Sequence, residues 1–138
     1  YNGDIYYDQF QRFLSASTNP VIYNGDIVSV SDLNDLSERF PTVSQFMIGR
    51  GLLARPSLAS EHKYGTEWSR DKRISKILEF HDALFEEYQA LLCGQSQLLQ
   101  KMKPFWEYLE PEIGHKAYKA IKKATSLSKY KYAISEIE

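Results

Sequence analysis

The sequence predicts a mostly helical chain, with an α/β segment over residues 1–60 and an all-α bundle over residues 61–138. Three observations carry this. Two β-rich stretches, "NPVIY" and "SQFMIG", each end in a glycine turn and each precede a helix pattern. From Trp68 onward, apolar residues recur at spacings of three and four. After residue 60 no stretch carries a strand pattern.

The elements follow in order. Ile5–Ser15, with Ile5, Phe10, Phe13 and Leu14 apolar, predicts a short amphipathic helix. Asn19–Tyr23 predicts a buried strand that opens on an Asn-Pro turn and closes at Asn24–Gly25–Asp26. In the helix that follows, Ser29 or Ser31 serves as N-cap, and Val30, Leu33 and Leu36 share a face. Ser44–Gly49 predicts the second strand, and "GRGLLARP" turns into another short helix. This order is that of a parallel α/β unit with a right-handed crossover. Trp68–Leu92 predicts one long amphipathic helix, ended at Gly94. Ser96–Leu109 predicts a second, kinked or split by Pro104. Pro111–Gly114 reads as a loop, and Lys116–Ala124 and Ser128–Ile137 as two closing helices. The boundary between the two parts is expected near Ala59–Thr66.

Bulk properties exclude several classes. A hydrophobic fraction of 43% with net charge −1 is that of an ordinary globular protein. The single cysteine, Cys93, permits no intrachain disulfide, so a reducing, cytoplasmic setting is expected. No run approaches the ~18 apolar residues of a membrane span, and the N-terminus lacks the pattern of a signal peptide. A chain that opens at Tyr1 without methionine is expected to be a piece of a longer one.

The glycine turns are the first candidate site. Both fall at the C-terminal ends of predicted parallel strands, the edge where α/β folds bind ligands. Gly25, Gly49 and Gly51 let backbone N–H groups approach an anion, and Arg50 adds a charged fork. A helix begins after each turn, so two helix N-termini point the same way. Either motif alone is ordinary turn chemistry; the two at this spacing point to a phosphate.

A lysine series is the second. Lys116, Lys119 and Lys123 share a helix face, Lys122 flanks them, Lys101 and Lys103 precede Trp106, and Lys129 and Lys131 alternate with Tyr130 and Tyr132. Lysines among aromatics suit a phosphate backbone with splayed bases. On charge pattern alone the series reads first as a solvated helix face. Cys93 reads as incidental. His62, His81 and His115 lack metal-ligand spacing, and His81 falls on the apolar face of its helix.

"PVIYNGDIVSVSDLNDL…FMIGRGLLARPSLASE" resembles the end of the flavin barrel of tRNA-dihydrouridine synthases, closely over residues 20–61 and loosely beyond. The resemblance implies a remnant of a (β/α)₈ barrel with about two parallel strands, followed by a helical tRNA-binding domain. It implies FMN held by Asn24, Gly25, Asp26, Gly49 and Arg50, with NADPH as reductant. It implies tRNA as partner, with the lysines at 101, 103, 116, 119, 122, 123 and 129 as candidate contacts. The family's catalytic cysteine and early strands precede the matched segment, so no catalytic residue is expected here. The chain alone is expected to be inactive, with exposed barrel strands open to self-association. Two alternatives stay open: another phosphate- or FMN-binding barrel oxidoreductase acting on a small molecule, and a non-catalytic RNA-binding helical module. Tyr-Asn-Gly-Asp-Ile occurs twice, at Tyr1–Ile5 and Tyr23–Ile27. The repeat reads as similar turn chemistry at successive strand ends, with only the second copy expected at FMN.

Overall fold

The computed structural model describes residues 3–137, so Tyr1 and Asn2 of the first repeat copy lie outside it. Its elements are α1 (Tyr7–Ala16), β1 (Ile22–Asn24), α2 (Val30–Arg39), β2 (Gln45–Met47), α3 (Arg50–Ala54), α4 (Leu58–Tyr64), α5 (Arg70–Leu91), α6 (Gln95–Met102), α7 (Glu110–Ile113), α8 (His115–Lys123) and α9 (Leu127–Ser135). A 3₁₀ turn spans Lys103–Trp106. The protein is mostly helical with one small parallel sheet, in which Ile22, Tyr23 and Asn24 stand opposite Gln45, Phe46 and Met47.

Local chemistry sets the boundaries. The α2 start is a capping box: Ser29 accepts from the Asp32 N–H, and Asp32 accepts from the Ser29 N–H. Strand β1 starts at Ile22, later than Asn19, because Pro20 has no N–H to give and Asn19 is held in a local turn by Ser17. Strand β2 ends at Met47 because Gly49 is already the cap of α3. Ser69 and Ser126 accept from the N–H groups three residues on, opening α5 and α9.

One expectation is corrected. Pro111–Gly114 is not a loop: Glu110–Ile113 forms α7, with Pro111 in the first turn, where a missing N–H costs nothing. Gly114, with φ of 82°, then separates α7 from α8. Helix α4 lies in the stretch where the boundary between the two parts is expected, and it is ended by Gly65 at φ 63°. The Pro104 expectation stands, since α6 stops at Met102 and the 3₁₀ turn follows.

Apolar burial forms two clusters. The first gathers Tyr23, Ile27, Leu33, Leu36, Phe40, Val43 and Leu58, with Phe10 of α1 set edge-on to Tyr23 and Phe40. The second lies among α5–α9 and centres on Ile77, Phe85, Met102, Trp106, Ile121 and Tyr130. Leu58 places α4 with the first cluster. Among the described residues, no helix is long and apolar enough to cross a membrane.

Candidate functional site

Pairing Asn24 with Met47 brings the Asn24–Gly25–Asp26 turn beside the Ile48–Gly49–Arg50 turn at one end of the sheet. The two are bridged: Arg50 Nη2 donates to Asp26 Oδ1 at 2.5 Å, with both side chains more than half exposed. Each glycine has its own physical reason. A Cβ on Gly51 would run into the Ile27 carbonyl, so Gly51 lets the two turns approach. A Cβ on Gly25 would strike the Tyr23 ring, so Gly25 makes room for a core aromatic. Gly49 faces open space. Of the three, only Gly49 is exposed.

The helix N-termini differ as well. At α2 the Asp32 carboxylate occupies the Val28 and Ser29 N–H groups at 2.9 and 2.8 Å. Burial pushes that carboxyl up, but these hydrogen bonds outweigh it and hold Asp32 below the ordinary value. That N-terminus carries its own anion. Helix α3 has no side-chain cap. The open backbone at Gly49 and the guanidinium of Arg50, which keeps donors beyond the one given to Asp26, are a donor set that fits a phosphate monoester. Asp26 also lines a neighbouring groove of about 520 Å³ in which Asp32, Asp35 and Glu38 outnumber Arg39.

The lysines divide. Lys101, Lys116, Lys119, Lys122, Lys123 and Lys129 are exposed. Lys103 is half-buried, and its Nζ donates to the Lys122 carbonyl at 2.9 Å, closing the C-terminal end of α8. The alternation of Lys129 to Tyr132 is split by the helical period: Tyr130 is a core residue and Tyr132 is exposed.

Tyr130 joins a buried polar chain. Trp106 Nε1–H donates to the Tyr130 oxygen at 2.8 Å, His81 Nε2 lies 2.9 Å from the same hydroxyl, and His81 Nδ1 lies 2.9 Å from Asp82. The neutral tautomer with hydrogen on Nδ1 satisfies every member, because Tyr130 then donates to Nε2 and Nδ1–H donates to Asp82. Burial depresses the His81 pKa against the opposing pull of Asp82. Among the described residues, no three of His, Cys, Asp and Glu converge as a metal set, and Cys93 is exposed.

Sequence reasoning missed the junction between the clusters. Glu61 is fully buried and accepts from Arg55 Nε at 3.2 Å, from a second Arg55 nitrogen and from Ser57. The Trp68 backbone N–H helps to lower its pKa. The Trp68 carbonyl in turn accepts from Arg73 Nη1 at 2.6 Å, and Arg73 Nε reaches Glu112 on α7 at 2.9 Å. Trp68 thus lies between two ion pairs, Arg55–Glu61 and Arg73–Glu112. Burial pushes Glu61 up, yet Arg55 and Ser57 hold it below the ordinary glutamate value. "RPSLASE" carried the only sequence signal, an arginine six residues before a glutamate.

A parallel α/β unit with glycine turns gathered at one sheet end, joined to a lysine-bearing helical bundle, defines the class of protein. The family model of dihydrouridine synthases (Dus) matches residues 1–136, and the chain belongs to that family. Its curated relatives include probable tRNA-dihydrouridine synthases of Rickettsia prowazekii (strain Madrid E), 28% identical over 92 residues, and of Rickettsia typhi (strain ATCC VR-144 / Wilmington), 27% identical over 92 residues. Each match covers 67% of this chain but 28% of the relative, so the chain spans well under half the length of the proteins it resembles. No solved structure matches it significantly.

Proposed function

We propose that the chain is the flavin-phosphate and tRNA-holding portion of an FMN-dependent tRNA-dihydrouridine synthase, which reduces uridine to 5,6-dihydrouridine with NADPH. One observation carries the reading: the Asn24–Gly25–Asp26 and Gly49–Arg50 turns meet at one sheet end, fixed by the Arg50–Asp26 pair. Residues 1–60 are assigned to the end of the barrel and 61–138 to the tRNA-binding domain.

The bound flavin would supply the hydride that reduces the uracil ring. Arg50 and the Gly49 backbone would hold its phosphate, and Asn24, Gly25 and Asp26 would lie along its flank. Asp26 orients Arg50 and lowers its freedom before the ligand arrives. The exposed lysines of α8 and α9 would neutralise tRNA phosphates while the target uridine leaves its stack. The relay through Trp68 would hold the two parts at a set angle, so that a tRNA gripped by one presents its uridine to the other.

Because the chain spans 28% of its curated relatives, the remaining strands and the proton donor are assigned to residues outside it. The free edges of the two strands are where that sheet, or a second copy of the chain, would add. The protein is assigned to the cytoplasm, where its tRNA substrate resides. In the full-length enzyme, Arg50→Met should release flavin without unfolding the protein, read by flavin absorbance after gel filtration. Retention equal to wild type contradicts the phosphate assignment. The isolated 138 residues should not couple NADPH oxidation to uridine reduction; turnover by them contradicts the division of labour.

A further inference from the structure

Between α8 and α9 runs a shallow groove of about 470 Å³, with Ala120, Ala124 and Ala133 along it, Lys123 and Lys129 on its two walls, and Tyr132 at its rim. From Ile113 to Ser135 the chain holds six lysines and no acidic residue. Tyr132 is 67% exposed, whereas Tyr130, two residues earlier, is 0% exposed. Among the described residues, no aromatic ring packs on Tyr132 and no partner bonds its hydroxyl.

We infer that this groove takes one unpaired nucleotide of an RNA, its base stacked on Tyr132 and its flanking phosphates neutralised by Lys123 and Lys129. The reasons are steric and electrostatic. Alanine side chains leave a low floor that a planar base can approach. A tyrosine ring offers a stacking face that suits every base and loses little side-chain entropy on binding. Lysines on opposite walls flank a strand that passes over the groove, and the absence of acids leaves no local competitor for them. Paired RNA keeps its bases inside the helix and has no use for the ring. The inference rests on the tRNA-binding reading, of which it names one contact.

The test is a binding titration of the protein against an unmodified tRNA transcript and against a fully paired RNA duplex, each at several salt concentrations. Wild type, Tyr132→Leu, Tyr132→Phe and Lys129→Gln are compared, with circular dichroism confirming that the exposed substitutions leave the fold intact. Tyr132→Leu should weaken tRNA binding about tenfold with an unchanged salt slope, and leave duplex binding unchanged. Tyr132→Phe should stay within about twofold of wild type, since phenylalanine stacks as well. Lys129→Gln should reduce the salt slope by about 0.7–0.9. If Tyr132→Leu binds tRNA as wild type does, or loses duplex binding equally, or Tyr132→Phe fails as badly as Tyr132→Leu, the stacking contact is overturned. If wild type itself shows no salt-dependent tRNA binding, the tRNA reading falls and the inference falls with it. Binding of wild type to an unrelated acidic protein, with none to tRNA, would reassign the groove to a protein partner.

Discussion

Arg50 reaches across from the second strand end to Asp26 at the first, 2.5 Å from Nη2 to Oδ1, and so ties two turns that lie 24 residues apart in sequence. The pair is exposed, so its own contribution to stability is small, about 0–1 kcal/mol. On the proposed reading its role is to aim a guanidinium. Asp26→Asn should therefore leave the melting temperature nearly unchanged and weaken flavin binding in the full-length enzyme only modestly. Arg50→Met removes a charge-assisted bond of about 1.5–3 kcal/mol and should raise the flavin dissociation constant roughly 10- to 100-fold. Equal effects of the two substitutions would count against this ranking. Titrating apoenzyme with FMN decides it.

The glycines separate the proposed ligand contact from packing. Gly51→Ala sets a Cβ against the Ile27 carbonyl and should cost about 1–3 kcal/mol in urea unfolding. Gly49→Ala meets no atom within 4 Å and should leave stability close to wild type while reducing flavin affinity. A destabilised Gly49→Ala would mean that the open backbone there is structural.

Glu61 is the buried acid on which the junction depends. Glu61→Gln leaves Arg55 with only the exposed Glu67 as a charged partner and should cost about 3 kcal/mol, the scale for breaking a buried pair. Its folded pKa lies below the ordinary value, so its contribution is present above the unfolded glutamate pKa of about 4.3 and is lost as pH falls through the folded value. Chemical denaturation at pH 7 and at pH 3 should show the substitution costing less in acid. An equal cost at both would contradict the assigned charge state.

His81 gives a second, separate pH window. Burial depresses its pKa, so the unfolded chain takes up a proton first as pH falls below about 6.5, and stability declines from there to the folded value. The wild-type slope attributable to this group cannot exceed about 1.4 kcal/mol per pH unit. His81→Gln should flatten it. Tyr130→Phe leaves Trp106 Nε1–H and His81 Nε2 without their shared partner and should cost about 1–3 kcal/mol. A pH-independent stability between pH 5 and 7 in wild type would sink the neutral-histidine assignment.

Much of this was legible in the sequence, for physical reasons. The parallel pair, the Ser29 cap and the Pro104 break follow from turn residues and periodicity, which are local signals. Helix α7 was missed because proline at a first helical turn looks the same in sequence as proline in a loop. Helix α4 has little local signal, because its buried Glu61 is held by Arg55 and Ser57 only once the chain is folded. The strand-end turns were identified, but which glycine serves a ligand was not, since that depends on what a Cβ would touch. Lys103 looked like its neighbours because capping of α8 is a contact 19 residues away. Tyr130 and Tyr132 look equivalent in sequence, and only the orientation of α9 tells them apart.

The central claim is tested most directly in cells that lack the gene. Their tRNA should lose dihydrouridine at defined positions, measured by mass spectrometry of nuclease digests. The full-length wild-type gene should restore it, and Arg50→Met at equal protein abundance should restore little. Unchanged dihydrouridine in the deleted cells, or full restoration by Arg50→Met, would contradict the account.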